Sequence, residues 1–90
     1  MDNIDKHKLH ELPGPHEFKV IGESTEEYHQ SVMNVFYEVI GKEKILKESK
    51  RQSATKKYTA YSVEAKIFEY DEILEIRKRC HELPGTQIVL

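Results

Sequence analysis

Hydrophobic and polar side chains alternate along residues 57–68, KYTAYSVEAKIF. Because successive side chains of a β-strand point to opposite faces of a sheet, this alternation predicts one long strand with a buried face and a solvent-facing face. It is the longest alternating run in the chain, so we expect this strand to lie at the centre of a sheet. The residues predicted on its buried face are Tyr61, Val63, Ala65 and Ile67.

A shorter strand and an amphipathic helix come before it. Residues 16–21 alternate over a shorter length and predict a strand that ends at Gly22. Ser24, as the helix N-cap, and Glu27 have the spacing of a capping box, in which a hydroxyl and a carboxylate satisfy the first amides of a helix. Gly41 is suited to a left-handed helix cap. Between these ends, one apolar stripe recurs at helical spacing: Tyr28, Val32, Val35, Phe36, Val39 and Ile40.

Three further elements are predicted in the rest of the chain. Residues 44–51 predict a lysine-rich strand of the kind found at exposed sheet edges, followed by a polar hairpin loop at 52–56. A second helix is expected to begin at Tyr70 or Asp71, with Asp71 as its N-cap. A short strand is predicted over residues 86–90. The second helix buries its own stripe: Ile73, Ile76, Cys80 and Leu83.

The predicted order is β-α-β-β-α-β, which defines an α+β fold. Two strand–helix–strand units joined by a hairpin give a ferredoxin-like two-layer sandwich, with a four-stranded antiparallel sheet and both helices on one face. Residues 1–12 are predicted to be a flexible N-terminal lead-in and residues 13–90 a single domain. The expected core comprises Phe18, Val20, Val32, Phe36, Val39, Tyr61, Val63, Ala65, Ile67, Ile73, Ile76 and Cys80.

The composition restricts the cellular compartment in which the protein is expected and the chemistry it is expected to perform. No apolar run approaches the roughly 20 residues that cross a bilayer, and the N-terminus lacks the apolar region of a signal peptide. One cysteine, Cys80, excludes an internal disulfide and fits a reducing compartment, so we expect a cytoplasmic protein. His7 and His10 stand one helical turn apart, but no third ligand is in register, so no metal site is predicted. No catalytic constellation and no cofactor motif are found.

Positive charge is concentrated in one segment. Residues 42–57 carry seven basic and two acidic side chains, whereas residues 1–41 carry three basic and eight acidic ones. One interpretation is a solvated edge strand and loop. The alternative is a binding patch for an acidic partner, either a protein or RNA. The patch would consist of Lys47, Lys50, Arg51, Lys56 and Lys57.

The outer face of the predicted sheet is a second candidate surface. RNA-recognition modules share the β-α-β-β-α-β order and stack bases on aromatic residues two apart. Here Tyr58 and Tyr61 are three apart and face opposite ways, which disfavours nucleic acid. Ile21 and Tyr58 are the residues expected at a partner contact, and edge strands would allow a monomer or a weak homodimer. The outer face comprises Lys19, Ile21, Tyr58, Ala60, Ser62, Glu64 and Lys66.

The combined features resemble the YbeD-like family of small bacterial proteins of unknown function. The resemblance rests on the segment FKVIG at residues 18–22, the capped helix, the basic hairpin, Tyr58 at the start of the long strand, and the final residues IVL. It implies a ferredoxin-like fold of the kind seen in amino-acid-binding regulatory (ACT-type) domains, and it implies no catalytic residues. The counterpart of the effector-binding turn in those domains is Gly22, Glu23 and Ser24.

Together these features predict a non-enzymatic accessory or regulatory domain that binds a protein partner or a small metabolite. The alternative is a nucleic-acid-associated protein that uses the basic hairpin at residues 42–57. A third hypothesis is an enzyme whose site the sequence does not disclose.

Overall fold

The computed structural model describes residues 12–90 and contains the six predicted elements in the predicted order. The predicted lead-in, with His7 and His10, lies outside the described residues apart from Leu12. A single 3-10 turn at Lys42–Lys44 precedes the second strand. The elements are β1 (Gly14–Glu23), α1 (Glu26–Val39), β2 (Ile45–Gln52), β3 (Tyr58–Ile67), α2 (Tyr70–Glu82) and β4 (Thr86–Val89).

The four strands form one antiparallel sheet in the order β2-β3-β1-β4. The long strand β3 is therefore central, as its alternation predicts, and β2 and β4 are the edges. The buried sheet residues come from alternate positions of β1 and β3, and they share one core with both helices. This arrangement confirms the predicted ferredoxin-like sandwich, in which the other face of the sheet is left open.

Strand β1 is longer than the sequence predicts. It begins at Gly14 and continues through Gly22 to Glu23, so the expectation that Gly22 ends the strand is wrong. The backbone of Gly22 stays extended and pairs with Thr59 of β3. The ring of Tyr28 occupies the space where a Cβ atom of residue 22 would lie. Glycine is needed here for close packing and not for a turn.

The core contains every predicted residue except Val39, together with Tyr28, Val35 and Ile40 of the predicted stripe of α1. Phe18 and Phe36 meet edge to face at its centre, with ring centroids 5.1 Å apart. Val39, predicted in the core, is only partly buried, while Met33 is buried although it lies beside the predicted stripe. Because α1 packs against both the sheet and α2, its apolar face is wider than a single i, i+4 row.

The N-caps of both helices differ from those predicted, although α2 begins at Tyr70, one of the two residues expected. The side chain of Thr25, not Ser24, caps α1 by accepting from the amide of Tyr28 at 3.1 Å. The hydroxyl of Ser24 instead shares a 2.7 Å hydrogen bond with the hydroxyl of Thr59, which takes it away from the helix. At α2 the N-cap is Glu69, and not Asp71, because the carboxylate of Glu72 accepts from the amide of Glu69 at 3.2 Å.

The C-terminal end of α1 follows the prediction more closely. Gly41 has a φ of +92°, a conformation that favours glycine, and its amide donates to the carbonyl of Tyr37 at 3.0 Å.

Candidate ligand-binding site

A groove of about 480 Å³ opens where the start of α1 faces strands β2 and β3. We call it the turn groove, because the connection between β1 and α1 forms one of its walls. Hydroxyl groups, one amide and two side chains of opposite charge line it. The lining residues are Ser24, Thr25, Glu26, Lys50, Gln52, Thr59 and Tyr61.

The floor of the turn groove is fixed by two residues of β3. Thr59 is 2% exposed, and its hydroxyl is held by Ser24. The hydroxyl of Tyr61 donates to the carbonyl of Glu23 at 2.9 Å. These two bonds tie the end of β1 and the following turn to β3.

Aromatic rings support the same floor from the side of α1. The imidazole of His29 stacks on the ring of Tyr61 with centroids 5.0 Å apart, and Tyr28 packs on Tyr61 at 5.7 Å. The Nε2 atom of His29 lies 3.5 Å from a carboxylate oxygen of Glu48 on β2. Burial raises the pKa of Tyr28 and of Tyr61, so both phenols are protonated at neutral pH.

The sheet register divides the basic segment between two faces. Lys50 pairs with Tyr61 and therefore lies on the helix side, in the turn groove. Lys47 and Arg51 pair with Glu64 and Ala60, on the open face. Residues that the sequence places in one patch are thus separated, because a strand directs neighbouring side chains to opposite sides.

The remaining two lysines of the predicted patch border a second groove of about 420 Å³. Lys56 and Lys57 line it together with Glu23, Ser24 and Tyr58. Residues 22–24, predicted as the counterpart of an effector turn, therefore stand between two grooves that each contain lysine, but Gly22 and Glu23 are the last residues of β1 and only Ser24 lies in the turn. Two candidates that the sequence presents separately meet at this turn.

The backbone of Gly22 and Glu23 is already paired within the fold. The amide of Glu23 donates to the carbonyl of Gly85 at 3.1 Å, and Gly22 pairs with Thr59 in the sheet. A ligand in the turn groove would therefore meet side chains, chiefly the hydroxyls of Ser24 and Thr25 and the charges of Glu26 and Lys50.

The residues predicted on the outer face of the sheet do share one face of it. Lys19 pairs with Ser62 and Ile21 with Ala60, so these side chains and those of Tyr58, Glu64 and Lys66 share the face that no helix of the described chain covers. Tyr58 and Tyr61 lie on opposite faces, as their spacing predicts. The paired aromatic platform of RNA-recognition modules is therefore not formed by these two residues.

Sequence reasoning missed several residues of the turn groove. Thr25, Glu26, Gln52 and Thr59 were not singled out, and Tyr61 was assigned to the core alone. One signal was available: Thr59 is a polar residue at a position that the alternation of β3 directs inward. A buried polar side chain requires a partner, and that partner is the turn residue Ser24.

Cys80 is a core residue, as predicted. Its side chain is fully buried, and desolvation raises the pKa of its thiol to about 11. No group of three metal-binding side chains occurs within residues 12–90.

The native thiol of Cys80 is expected to react with Ellman's reagent at pH 8 at least about 100-fold more slowly than the thiol of the urea-unfolded chain. The thiolate is the nucleophile, and a pKa near 11 instead of 9.0 lowers its fraction by about this factor. Stopped-flow absorbance with and without urea measures both rates. Equal rates would mean that Cys80 is accessible and ionised in the native protein.

The helices of the described part of the chain are too short or too polar to cross a membrane.

The fold is shared with solved structures of low sequence identity. The ACT domain of a GTP pyrophosphokinase from Chlorobium tepidum is similar with a TM-score of 0.71 and 9% identity, covering 86% of this chain and 95% of that one. Protein HP0495 from H. pylori is similar with a TM-score of 0.73 and 16% identity, covering 88% and 82%. An uncharacterized protein from Thermotoga maritima has a TM-score of 0.65 and 13% identity, covering 86% and 94%. These likenesses define the class as ferredoxin-like, with an ACT-domain architecture.

The family follows from the sequence itself. Residues 7–90 match the model of DUF493, a family of proteins of unknown function. The chain belongs to this family, and the YbeD-like resemblance is thereby confirmed. No curated protein matches the sequence.

Proposed function

We propose that this protein is a non-enzymatic regulatory domain of the bacterial cytoplasm, and that it binds a small zwitterionic metabolite in the turn groove. An amino acid is the simplest ligand of this class. The observation that carries the proposal is the pair of opposite charges, Lys50 and Glu26, on a groove otherwise lined by hydroxyls and an amide. The architecture shared with an ACT domain supports a regulatory role, although a fold alone does not define function.

The charges support a defined orientation of the ligand. Lys50 forms no ion pair within residues 12–90, so its ammonium group can bind a ligand carboxylate by a charge-assisted hydrogen bond. Glu26 is well exposed and makes one long contact with His29, at 3.8 Å, so its carboxylate can accept from a ligand ammonium group. The hydroxyls of Ser24 and Thr25 line the same groove.

A buried catalytic group is not required by this proposal. The groove holds polar residues that can bind and orient a ligand. The phenol of Tyr61 in its floor and that of Tyr28 beside it are both protonated at neutral pH, because burial raises the pKa of each. A turnover measurement that found an activity surviving replacement of Cys80 and the histidines would contradict the non-enzymatic assignment.

Replacing Lys50 by glutamine is expected to weaken binding of a zwitterionic amino acid by about 10- to 100-fold. A hydrogen bond to a charged group contributes about 1.5–3 kcal/mol, and glutamine keeps a polar, slightly shorter side chain without the charge. The measurement is NMR titration of the labelled protein with each of the twenty amino acids at millimolar concentration. Shifts are expected at residues 24–26 and 50–52.

The matched control is Lys47→Gln. Lys47 lies on the same strand, three residues away, but its partner in the sheet is Glu64 and it faces the open side. We expect this variant to bind as the wild type does. Equal losses for both variants would indicate a general charge effect, and the absence of shifts with every amino acid would refute the proposed ligand class.

Nucleic-acid binding has less support. The five basic residues of the predicted patch are divided among the open face, the turn groove and the hairpin, so a nucleic-acid backbone would not meet them together. Phosphate contacts would make binding fall steeply with salt, and an oligonucleotide titration at 50 and 200 mM salt would reveal them.

A further inference from the structure

The two edge strands of the sheet differ in how well their side chains discourage pairing with another chain. Strand β2 carries three basic side chains along its length, Lys47, Lys50 and Arg51, and such charges discourage pairing with another chain. Strand β4, Thr86–Val89, has the sequence TQIV and carries no charge. Its pairing partner is β1, and no strand of the described chain pairs with its outer side.

The backbone of β4 offers hydrogen-bonding groups at this free edge. Antiparallel pairing directs the backbone groups of alternate residues toward the partner strand. The amide of Leu90 donates to the carbonyl of Lys19 on β1 at 2.8 Å. The alternation then turns the amide and carbonyl of Val89 outward, where an added strand could pair with them.

A basic cluster lies beside this edge on the helix side. Arg77, Lys78 and His81 of α2 line a groove of about 290 Å³ together with Val89. Arg77 and His81 project from the flank opposite Arg79, which binds Glu38 of α1 at 3.1 Å. Within residues 12–90, Arg77, Lys78 and His81 form no ion pair.

The helix dipole accounts for part of this charge, since cations near a helix C-terminus are favourable. It does not account for a groove shared with an unpaired sheet edge. An apolar side chain is also exposed on this edge strand: Ile88 is 47% exposed, on the open face. Basic residues thus lie on one side of β4 and an exposed apolar residue lies on the other.

We propose that the free edge of β4 binds an extended segment of a partner protein as a fifth strand, and that this segment alternates acidic and apolar residues. Its acidic side chains would contact Arg77 and His81 on the helix side, and its apolar side chains would pack on Ile88 on the open face. Strand addition of this kind draws affinity from main-chain hydrogen bonds and specificity from alternate side chains.

A second copy of this chain fits the edge less well. Its own β4 contains no acidic residue, and edge-to-edge pairing would bring two basic clusters together. An acidic partner of a different sequence provides the complementary charge.

The test uses a capped ten-residue peptide that alternates valine and glutamate. Hydrogen exchange measured by NMR should slow at least tenfold at the amide of Val89, while the amide of Leu90, already bonded to Lys19, should not change. Arg77→Glu should weaken peptide binding at least tenfold. The matched control Arg51→Glu, at the opposite edge, should leave it unchanged, and so should Lys50→Gln, which separates this proposal from the ligand proposed for the turn groove.

A second variant tests the backbone. Val89→Pro removes the outward amide and leaves the bonds to β1 in place, so it should weaken peptide binding at least tenfold in a chemical-shift titration, while far-UV circular dichroism stays unchanged. Three results would overturn the proposal: no protection at millimolar peptide, equal binding of a peptide with glutamate replaced by lysine, or equal binding by Val89→Pro.

Competition by a ten-nucleotide oligothymidylate that requires Arg77 but not the Val89 amide would assign the cluster to nucleic acid instead. Concentration-dependent dimerisation lost in Val89→Pro would assign the edge to a second copy.

Discussion

Replacing Phe36 by alanine is expected to lower the free energy of unfolding by about 3–5 kcal/mol. Phe36 is 0% exposed, and its ring meets that of Phe18 edge to face at the centre of the core. The substitution removes a large apolar side chain and leaves a cavity between α1 and the sheet, which close-packed neighbours fill only in part. For a domain of this size the loss is a large share of a total of about 5–15 kcal/mol.

Urea unfolding followed by circular dichroism measures this effect. The midpoint should fall by more than about 1 M, with the slope unchanged if unfolding stays two-state. Phe68→Ala is the matched control, because Phe68 is 39% exposed and its ring lies beneath the ammonium groups of Lys44 and Lys66. We expect a loss below about 1 kcal/mol there. Similar losses for the two variants would contradict the assignment of Phe36 to the centre of the core.

Replacing Gly22 by valine is expected to destabilise the protein by about 3 kcal/mol or more. A Cβ atom at this position would overlap the ring of Tyr28, so either the strand or the ring must move. Tyr28 is held on both sides: its ring packs on Tyr61, and its hydroxyl bonds Thr86 on β4. Displacement of the ring would therefore disturb the floor of the turn groove as well as the core.

A double-mutant cycle separates this overlap from a general strand effect. Tyr28→Ala removes the ring and is itself expected to cost about 3–5 kcal/mol. If the ring is the obstacle, valine at position 22 should cost little in the Tyr28→Ala background, and the two losses should be far from additive. Additive losses would mean that Gly22 is required for a reason other than contact with Tyr28.

The contrast between Gly22 and Gly41 illustrates how far a sequence pattern can be interpreted. Both were expected to end an element. Gly41 does so, because it follows an amphipathic helix and adopts a positive φ. Gly22 does not end the strand. Glycine is required there because the ring of Tyr28, six residues later in the chain, packs against its backbone. A local sequence pattern predicts a local conformation, but it does not indicate which side chain of another element will pack against it.

The caps show the same limit. Ser24 and Glu27 have the correct spacing for a capping box, yet Thr25 performs the function because Thr59, 35 residues away, takes the hydroxyl of Ser24. The competing partner is close only in the folded chain.

The sequence by itself determined the element order, the central position of β3, the edge position of β2 and most of the core. These follow from periods of 2 and 3.6 residues, and apolar side chains at those periods leave few other ways to bury their surface. It also located the basic segment. Tertiary structure decided which of these residues meet, because the sheet register sends Lys50 to the turn groove and Lys47 to the open face. The register of the strands and the packing of distant side chains depend on contacts between residues far apart in the chain. The spacing of apolar residues along the sequence does not specify these contacts.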